Sequence, residues 1–425
     1  MIIESAQGCQ QGDPLGVVLF CLAYQRVLRR IDEEVDHEFL ASYIDDTTCI
    51  TDVAGVHRIL EILEEASELG FYVNRAKCIA FAPQPSRIED YSMLPDDIII
   101  EHEGVELLGA PIGTEEYCRA HLDRAMRKAI SLGEKVSFLD DLHLEYKMHT
   151  SVLTISNLVF LLRTNAPELI EMTAWREHTR SIMERLPHSS DTVDDMALVQ
   201  ASLSVKQGGL GLRCSELYST AAFTASICAS TPNIRVILRD EQWTFAGLQG
   251  YIEALREESS PELFPSDLEI ASGLKLQRKF CKALDAHSAH DMIEEANDLR
   301  EEARLRGLSS NSHCGDWLTA RPDPNLHLKL NNRQFAAAIR YRLGLPMYKE
   351  CQRCYSCGGI LDTQGDHAMH CKKEGYLVGR HNGIQGLLID LAAATGLNLK
   401  KEDNRLMPDK HGKRPGDIII NSGAG

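Results

Sequence analysis

The run CQRCYSCGGILDTQGDHAMHC, residues 351–371, restricts this chain more tightly than any other stretch. It holds Cys354 and Cys357 in a Cys-x2-Cys pair, then His367 and Cys371 in a His-x3-Cys pair. Ligand types and spacings of this kind suit a tetrahedral Zn²⁺. The Gly358-Gly359 turn lets the first pair converge, and the longer loop returns the second pair to it. The rival reading, cysteines buried in a loop-rich core, is disfavoured because few apolar residues surround them. Four protein ligands leave no open coordination position, so the site is structural rather than catalytic. Cys351 and His370 are spare ligands in the same run. Cys351 would duplicate a position, and His370 abuts Cys371.

The other nine of the 13 cysteines stand singly in apolar or helical contexts, as small buried hydrophobes kept reduced. With 425 residues and 44% hydrophobic content, the chain can form about two to four globular domains. There is no run long and apolar enough to span a bilayer, and no charged region followed by an apolar one at the start. The expectation is therefore no membrane partner and a cytosolic or nuclear setting. The net charge of −17 argues on average against phosphate binding, which Lys and Arg dominate. That average conceals an asymmetry. Residues 321–425 hold 16 Lys+Arg against 10 Asp+Glu, about +6, which leaves −23 for the preceding 320 residues.

Hydrophobic periodicity divides the chain further. Residues 1–114 mix a helix (PLGVVLFCLAYQRVLRRIDEEV), a second helix closed by Gly70 (VAGVHRILEILEEASELG) and β-prone runs such as DIIIEHEGVELLGAPI, an α+β organisation. Residues 115–230 are helical almost throughout. They are broken by QGGLGL, a turn or close-approach element with no phosphate-loop pattern around it. Residues 231–345 contain acidic helices and a basic one, NNRQFAAAIRYRLGLP, ended by Pro346. After the cysteine run come the helix IQGLLIDLAAATG and the β-prone DIII.

ASYIDDTTCI, residues 41–50, places adjacent Asp45 and Asp46 between β-prone runs. Taken alone, the pair is a hairpin turn. Two carboxylates held at a strand tip are also a means of binding divalent metals for phosphoryl displacement. About thirty residues upstream lies QGCQQGDPLGVVLF, where glycines allow close backbone approach and Pro14 can open a helix. Together, QGDPLG and YIDD resemble the polymerase motifs of a reverse transcriptase. LGFYVNRAKC resembles the motif that follows them, and LLGAPIGT the primer-gripping hairpin of retroelement polymerases. The set is most similar to the class without long terminal repeats. Outside the resemblance, LLGAPIGT reads as a turn and Lys77 as a solvated charge.

The resemblance implies two-metal nucleotidyl transfer with Mg²⁺ or Mn²⁺. Asp45 would ligate metal directly and Asp46 support it. Tyr43, Gln11 and Gly12 would lie against template and incoming nucleotide, and Lys77 would assist the leaving pyrophosphate. A further catalytic aspartate belongs, in that family, on a strand several tens of residues before QGDPLG, and no residue here takes that role. The expectation is a chain that does not polymerise alone.

Beyond the cysteines, RHN (residues 380–382), Glu402 and RPGDIII resemble the start of the restriction-like endonuclease of site-specific elements of the same class. The resemblance implies that Asp417 binds the nuclease metal, with Glu402 a second candidate; outside it, Asp417 reads as a capped strand start. The next acidic residue and lysine of that fold do not follow before the chain ends.

The expected architecture is α+β. It comprises a partial polymerase palm (1–114), a helical thumb-like domain (115–230), a helical connector (231–345), a zinc knuckle (346–375) that fixes a basic loop against nucleic acid, and the start of an α/β nuclease domain (376–425). The partners implied are an RNA template, a DNA target or primer, and deoxynucleoside triphosphates; the setting implied is nucleus and cytoplasm. The alternative is a non-catalytic, zinc-dependent nucleic-acid-binding remnant of a retroelement.

Overall fold

The computed structural model describes residues 13–83, 94–153, 158–187, 193–214, 216–311, 313–325, 328–373, 376–397, 399–401 and 418–420. Gln11, Gly12, Glu402 and Asp417 lie outside these described residues. Helices and two-stranded sheets make up the fold, in keeping with an α+β class. The chain forms two compact units that alternate along the sequence. One comprises Met1–Asp140, Lys147–Thr179 and Leu212–His290; the other comprises Asp141–Tyr146, Arg180–Gly211 and Asp291–Gly425.

The first unit opens with helix α1 (Gly16–Glu34), started where the Asp13 carboxylate accepts from the Leu15 amide at 2.9 Å. Its Tyr24, Val27 and Ile31 recur at helical spacing and are buried. They pack with Ile62 of α2 (Val53–Glu65) and with Ala66, sealed by the rings of Phe20 and Phe71. Asp52 caps α2 by accepting from the Gly55 amide at 2.7 Å. Between these helices β1 (His37–Tyr43) and β2 (Asp46–Thr51) form an antiparallel hairpin.

Next, β3 (Ile79–Phe81) and β4 (Ile99–Glu101) pair in parallel, and β5 (Gly104–Leu107) and β6 (Ala110–Gly113) form a second hairpin. At its tip Leu108 and Gly109 both have positive φ, 51° and 87°, the pattern of a type I′ turn. Thr114 caps helix α3 (Glu115–Val136), which buries Cys118, Leu122, Met126, Ala129 and Gly133 along one face.

Helices α4 (Leu142–Ser151), α5 (Val159–Thr164), α6 (Thr173–Arg185) and α7 (Asp195–Ser202) follow. A second core of the first unit joins α8 (Glu216–Leu238), α9 (Leu248–Glu257), α10 (Asp267–Ser272) and α11 (Leu276–Glu294) around Leu255, Leu276 and Phe280. Above this core Asp285 takes a bidentate ion pair from Arg213 and a hydrogen bond from the Tyr218 hydroxyl at 2.5 Å. Burial raises the Tyr218 phenol well above its ordinary range, which keeps it a hydrogen-bond donor.

In the second unit, α12 (Leu299–Ser310), α13 (Asp316–Thr319) and α14 (Asn332–Leu343) include the helix read as basic. Two features differ from the sequence reading. Helix α14 ends on Gly344, whose φ of 72° lets its amide turn back to the Arg340 and Tyr341 carbonyls, rather than on Pro346. Two of its arginines are also turned to backbone carbonyls rather than to solvent. Arg342 is buried, donating to Gly209 O (3.1 Å), Cys314 O (3.2 Å) and Val205 O (2.7 Å), while Arg340 donates to Pro187 O at 2.6 Å. This is what QGGLGL does: a Cβ on Gly209 would stand 2.2 Å from Leu203 O, so only glycine lets the loop come so close.

The chain continues through β7 (Gln352–Arg353), β8 (Ile360–Leu361), α15 (Asp366–His370), α16 (Tyr376–Ala394), β9 (Leu399–Lys401) and β10 (Ile418–Ile420). Helix α16 starts eight residues before the IQGLL pattern, so Arg380, His381 and Asn382 lie within it. The DIII run contributes β10, antiparallel to β9.

Candidate metal centres

The β1–β2 hairpin pairs Ser42 with Thr47 and Tyr43 with Asp46, which leaves Ile44 and Asp45 as a two-residue loop. Ile44 has φ 60°, an outlier for a β-branched residue. A chain of hydroxyls supports it. The Ser42 hydroxyl donates to Ile44 O at 3.1 Å, and Thr47 Oγ1 lies 3.0 Å from Ser42 Oγ and 3.0 Å from the Tyr24 hydroxyl. Each hydroxyl has one proton. With Ser42 donating to the carbonyl, Thr47 must donate to Ser42 and Tyr24 to Thr47, so the tip is tied to the buried face of α1.

Asp45 and Asp46 are exposed, and Tyr43 beside them is 65% exposed. Among the described residues no side-chain hydrogen bond or ion pair takes up either carboxylate, and no third Asp, Glu, His or Cys joins them as a ligand set. Two adjacent carboxylates match hard divalent cations, which take about six oxygens each. The remaining ligands must come from substrate phosphates, water or another carboxylate.

Lys77 stands exposed in the 3₁₀ turn Arg75–Lys77, its amide bonded to Asn74 O at 2.9 Å. Arg75 fixes this turn through Asp97 (2.6 and 2.8 Å) and Glu64 (2.7 Å). Among the described residues no hydrogen bond or ion pair engages the Lys77 amine, which is left an uncommitted cation on a pinned turn.

The second centre is tighter. The ligand atoms of Cys354, Cys357, His367 and Cys371 all lie within 4.8 Å of one another. Cys354 and Cys371 sulfurs are 4.0 Å apart, and Cys357 Sγ is 3.2 Å from His367 Nε2. Zn–S bonds of about 2.3 Å in a tetrahedron give sulfur separations near 3.8 Å, close to the 4.0 Å between Cys354 and Cys371. The Cys354–Cys371 separation is about twice a disulfide bond length.

The sequence explains the convergence. Gly358 N donates to Cys354 O and Cys354 N to Gly359 O, both at 2.8 Å, closing the knuckle turn between β7 and β8. Asp362 accepts from the Asp366 and His367 amides at 2.9 and 2.7 Å, starting the short helix α15 that carries His367. The backbone amides of Cys357 and Ser356, with His367, hold the Cys354 thiol down at about 6, the thiolate a metal needs. Cys351 is exposed and outside the cluster, as is His370, whose Nδ1 lies 2.9 Å from Asp366 O.

Sequence reasoning missed the supports of both centres: the Tyr24–Thr47–Ser42 relay and the Asp362 cap. A signal existed only for the cap, an Asp ahead of a short Gly-Asp-His turn.

No curated protein matches the chain. Residues 2–112, which include the β1–β2 hairpin and Lys77, match the family model described as reverse transcriptase (RNA-dependent DNA polymerase), and over this segment the chain is similar to that family.

Proposed function

We propose that the chain is the reverse-transcriptase segment of a retrotransposon protein of the class without long terminal repeats, acting by metal-dependent nucleotidyl transfer. What supports this most is a pair of exposed, uncommitted carboxylates, Asp45 and Asp46, on a braced hairpin tip within a segment similar to reverse transcriptases. In the reaction the primer 3′ oxygen bonds to the α-phosphorus of a nucleotide as the bond to pyrophosphate breaks. Bound Mg²⁺ or Mn²⁺ supplies charge neutralisation at the attacking and leaving oxygens. Asp45 and Asp46 hold that charge at the strand tip, and the hydroxyl relay from Tyr24 fixes where the tip stands. Tyr43, Gln11 and Gly12 border the template and nucleotide, and Lys77 meets the departing pyrophosphate. Cys354, Cys357, His367 and Cys371 hold a structural Zn²⁺. Asp417 and Glu402 belong to the metal site of a nuclease domain.

Primer extension on an RNA template, with a fingers segment from a complete reverse transcriptase added, tests the polymerase reading. We expect template-dependent synthesis that Asp45→Ala abolishes. Synthesis that survives Asp45→Ala, or that never appears, sinks it.

The second reading, a zinc-dependent nucleic-acid-binding remnant, is favoured by one observation. The four-ligand cluster is complete among the described residues, whereas the aspartate pair has no third ligand there. Salt-sensitive binding by the full chain that chelation removes, with no synthesis on complementation, would select it.

A further inference from the structure

The first turns of α11 carry a charge pattern at odds with a chain whose net charge is −17. Residues 273–290 hold Lys275, Arg278, Lys279 and Lys282 against a single carboxylate, Asp285. That carboxylate is buried and taken up by Arg213 and Tyr218, and Lys279 is held by Glu269 at 2.9 Å. Lys275, Arg278 and Lys282 are exposed, and among the described residues no hydrogen bond or ion pair engages their side chains. Elsewhere in the same unit Arg58, Arg75 and Arg213 all meet carboxylates. Arg278 and Lys282, four apart in the helix, share a face. Lys275 stands at the open end of the helix, where its carbonyl accepts from the Lys279 amide at 3.3 Å. At a rise of about 1.5 Å per residue, the three cations span about 10 Å.

The same end of α11 is tied to the segment similar to reverse transcriptases. Arg163 of α5 donates to Gln277 Oε1 at 2.9 Å. One turn earlier on α5, the ring of Phe160 would lie 3.6 Å from a Cβ on Gly109. One short helix thus joins the first turn of α11 to the β5–β6 turn, at the end of the matched residues 2–112. Three uncommitted cations complement a polyanion, and beside that segment the polyanion at hand is nucleic acid. Phe280, the one aromatic ring of residues 273–290, is fully buried, so the stretch offers no ring for a base to stack on. Such cations reach phosphates whatever the sequence, which suits a double helix with its bases turned inward.

We infer that Lys275, Arg278 and Lys282 bind the phosphate backbone of a nucleic-acid duplex, a contact surface additional to the aspartate-bearing hairpin. The inference rests on the reverse-transcriptase reading, which makes nucleic acid the partner.

The test uses the full chain supplied with Zn²⁺ and a labelled RNA–DNA duplex of about 20 base pairs, with affinity from fluorescence anisotropy across a salt series. Lys275→Gln, Arg278→Gln and Lys282→Gln should each reduce the slope of log affinity against log salt by about one, and the triple variant by about three, alike for unrelated sequences. Lys282→Arg should keep the parent's slope. The single variants carry the test if the triple variant does not fold. Removing the same charge at scattered exposed positions, Lys206, Arg321 and Arg333, should change the slope far less. An equal drop there would mean that only net charge is read, and it overturns the inference, as does an unchanged slope in the α11 variants. Loss confined to single-stranded RNA or to polyglutamate, with duplex binding unchanged, also overturns it. Asp45-dependent synthesis on complementation judges the reverse-transcriptase reading separately. An unchanged slope beside such synthesis removes this inference alone, and a parent chain that neither binds duplex nor synthesises sinks both.

Discussion

Arg342 shows how one residue sets the geometry of a whole loop. Its guanidinium donates to carbonyls at Val205, Gly209 and Cys314, three points distant in sequence, and is nearly excluded from water. Removing it deprives those carbonyls of this donor, at about 1–3 kcal/mol for each one left unsatisfied, although Val205 O keeps the Gly208 amide. We therefore expect Arg342→Ala to lower stability by about 3 kcal/mol or more in denaturant unfolding, and Arg342→Lys to recover only part, because an ammonium lacks the planar fork. Ile44 is the opposite case. A β-branched residue at φ 60° costs about 1–2 kcal/mol, and the bonded hydroxyls of Ser42, Thr47 and Tyr24 sustain it at the tip bearing the two aspartates.

At the scale of elements, caps decide where helices begin. Asn331 caps α14 by accepting from the Gln334 amide at 3.0 Å, while Gln334 returns a bond to the Asn331 amide. Asn331→Ala should cost about 1 kcal/mol in thermal or chemical unfolding. Helix α10 carries a charged version of the same box. Lys279, then the Ser266 amide and hydroxyl, hold the Glu269 carboxyl down at about 2. A depressed folded-state value means that the unfolded chain takes up the proton first as the pH falls. The stabilisation is thus complete above about pH 4.5, declines below it, and is gone once the pH falls through about 2. Denaturation midpoints measured across that window should fall less steeply for Glu269→Gln than for the parent.

At the scale of the whole molecule, the helical core of the first unit and the zinc-ligand run of the second differ in what can hold them. The first has an extended apolar core in which Leu255, Leu276 and Phe280 are fully or almost fully buried, and Phe280→Ala should cost about 3–5 kcal/mol. The zinc-ligand run has hardly any apolar interior, so its shape depends on the four ligands. A strong chelator should release one zinc per chain and raise amide hydrogen exchange over residues 351–371, with little change in the α8–α11 core. Equal exchange with and without chelator would show that the run holds its shape without metal.

Local features were legible in the order of residues. The His-x3-Cys and Cys-x2-Cys spacings, the Asp-Asp hairpin, the periodic helices α1, α2 and α3, and the close approach in QGGLGL are written in neighbouring residues, because ligand spacing, turn chemistry and helical period act over a few positions. Which charges are available follows from packing. Arg340 and Arg342 give the C-terminal quarter part of its positive balance, yet they face carbonyls far off in sequence, whereas Arg353 on the knuckle hairpin is exposed. The hydroxyl relay beneath Asp45 likewise joins residues of α1 and the hairpin 23 positions apart. Charge and hydroxyl content can be counted in a sequence, but the partner each group finds depends on long-range contacts, which packing alone brings together.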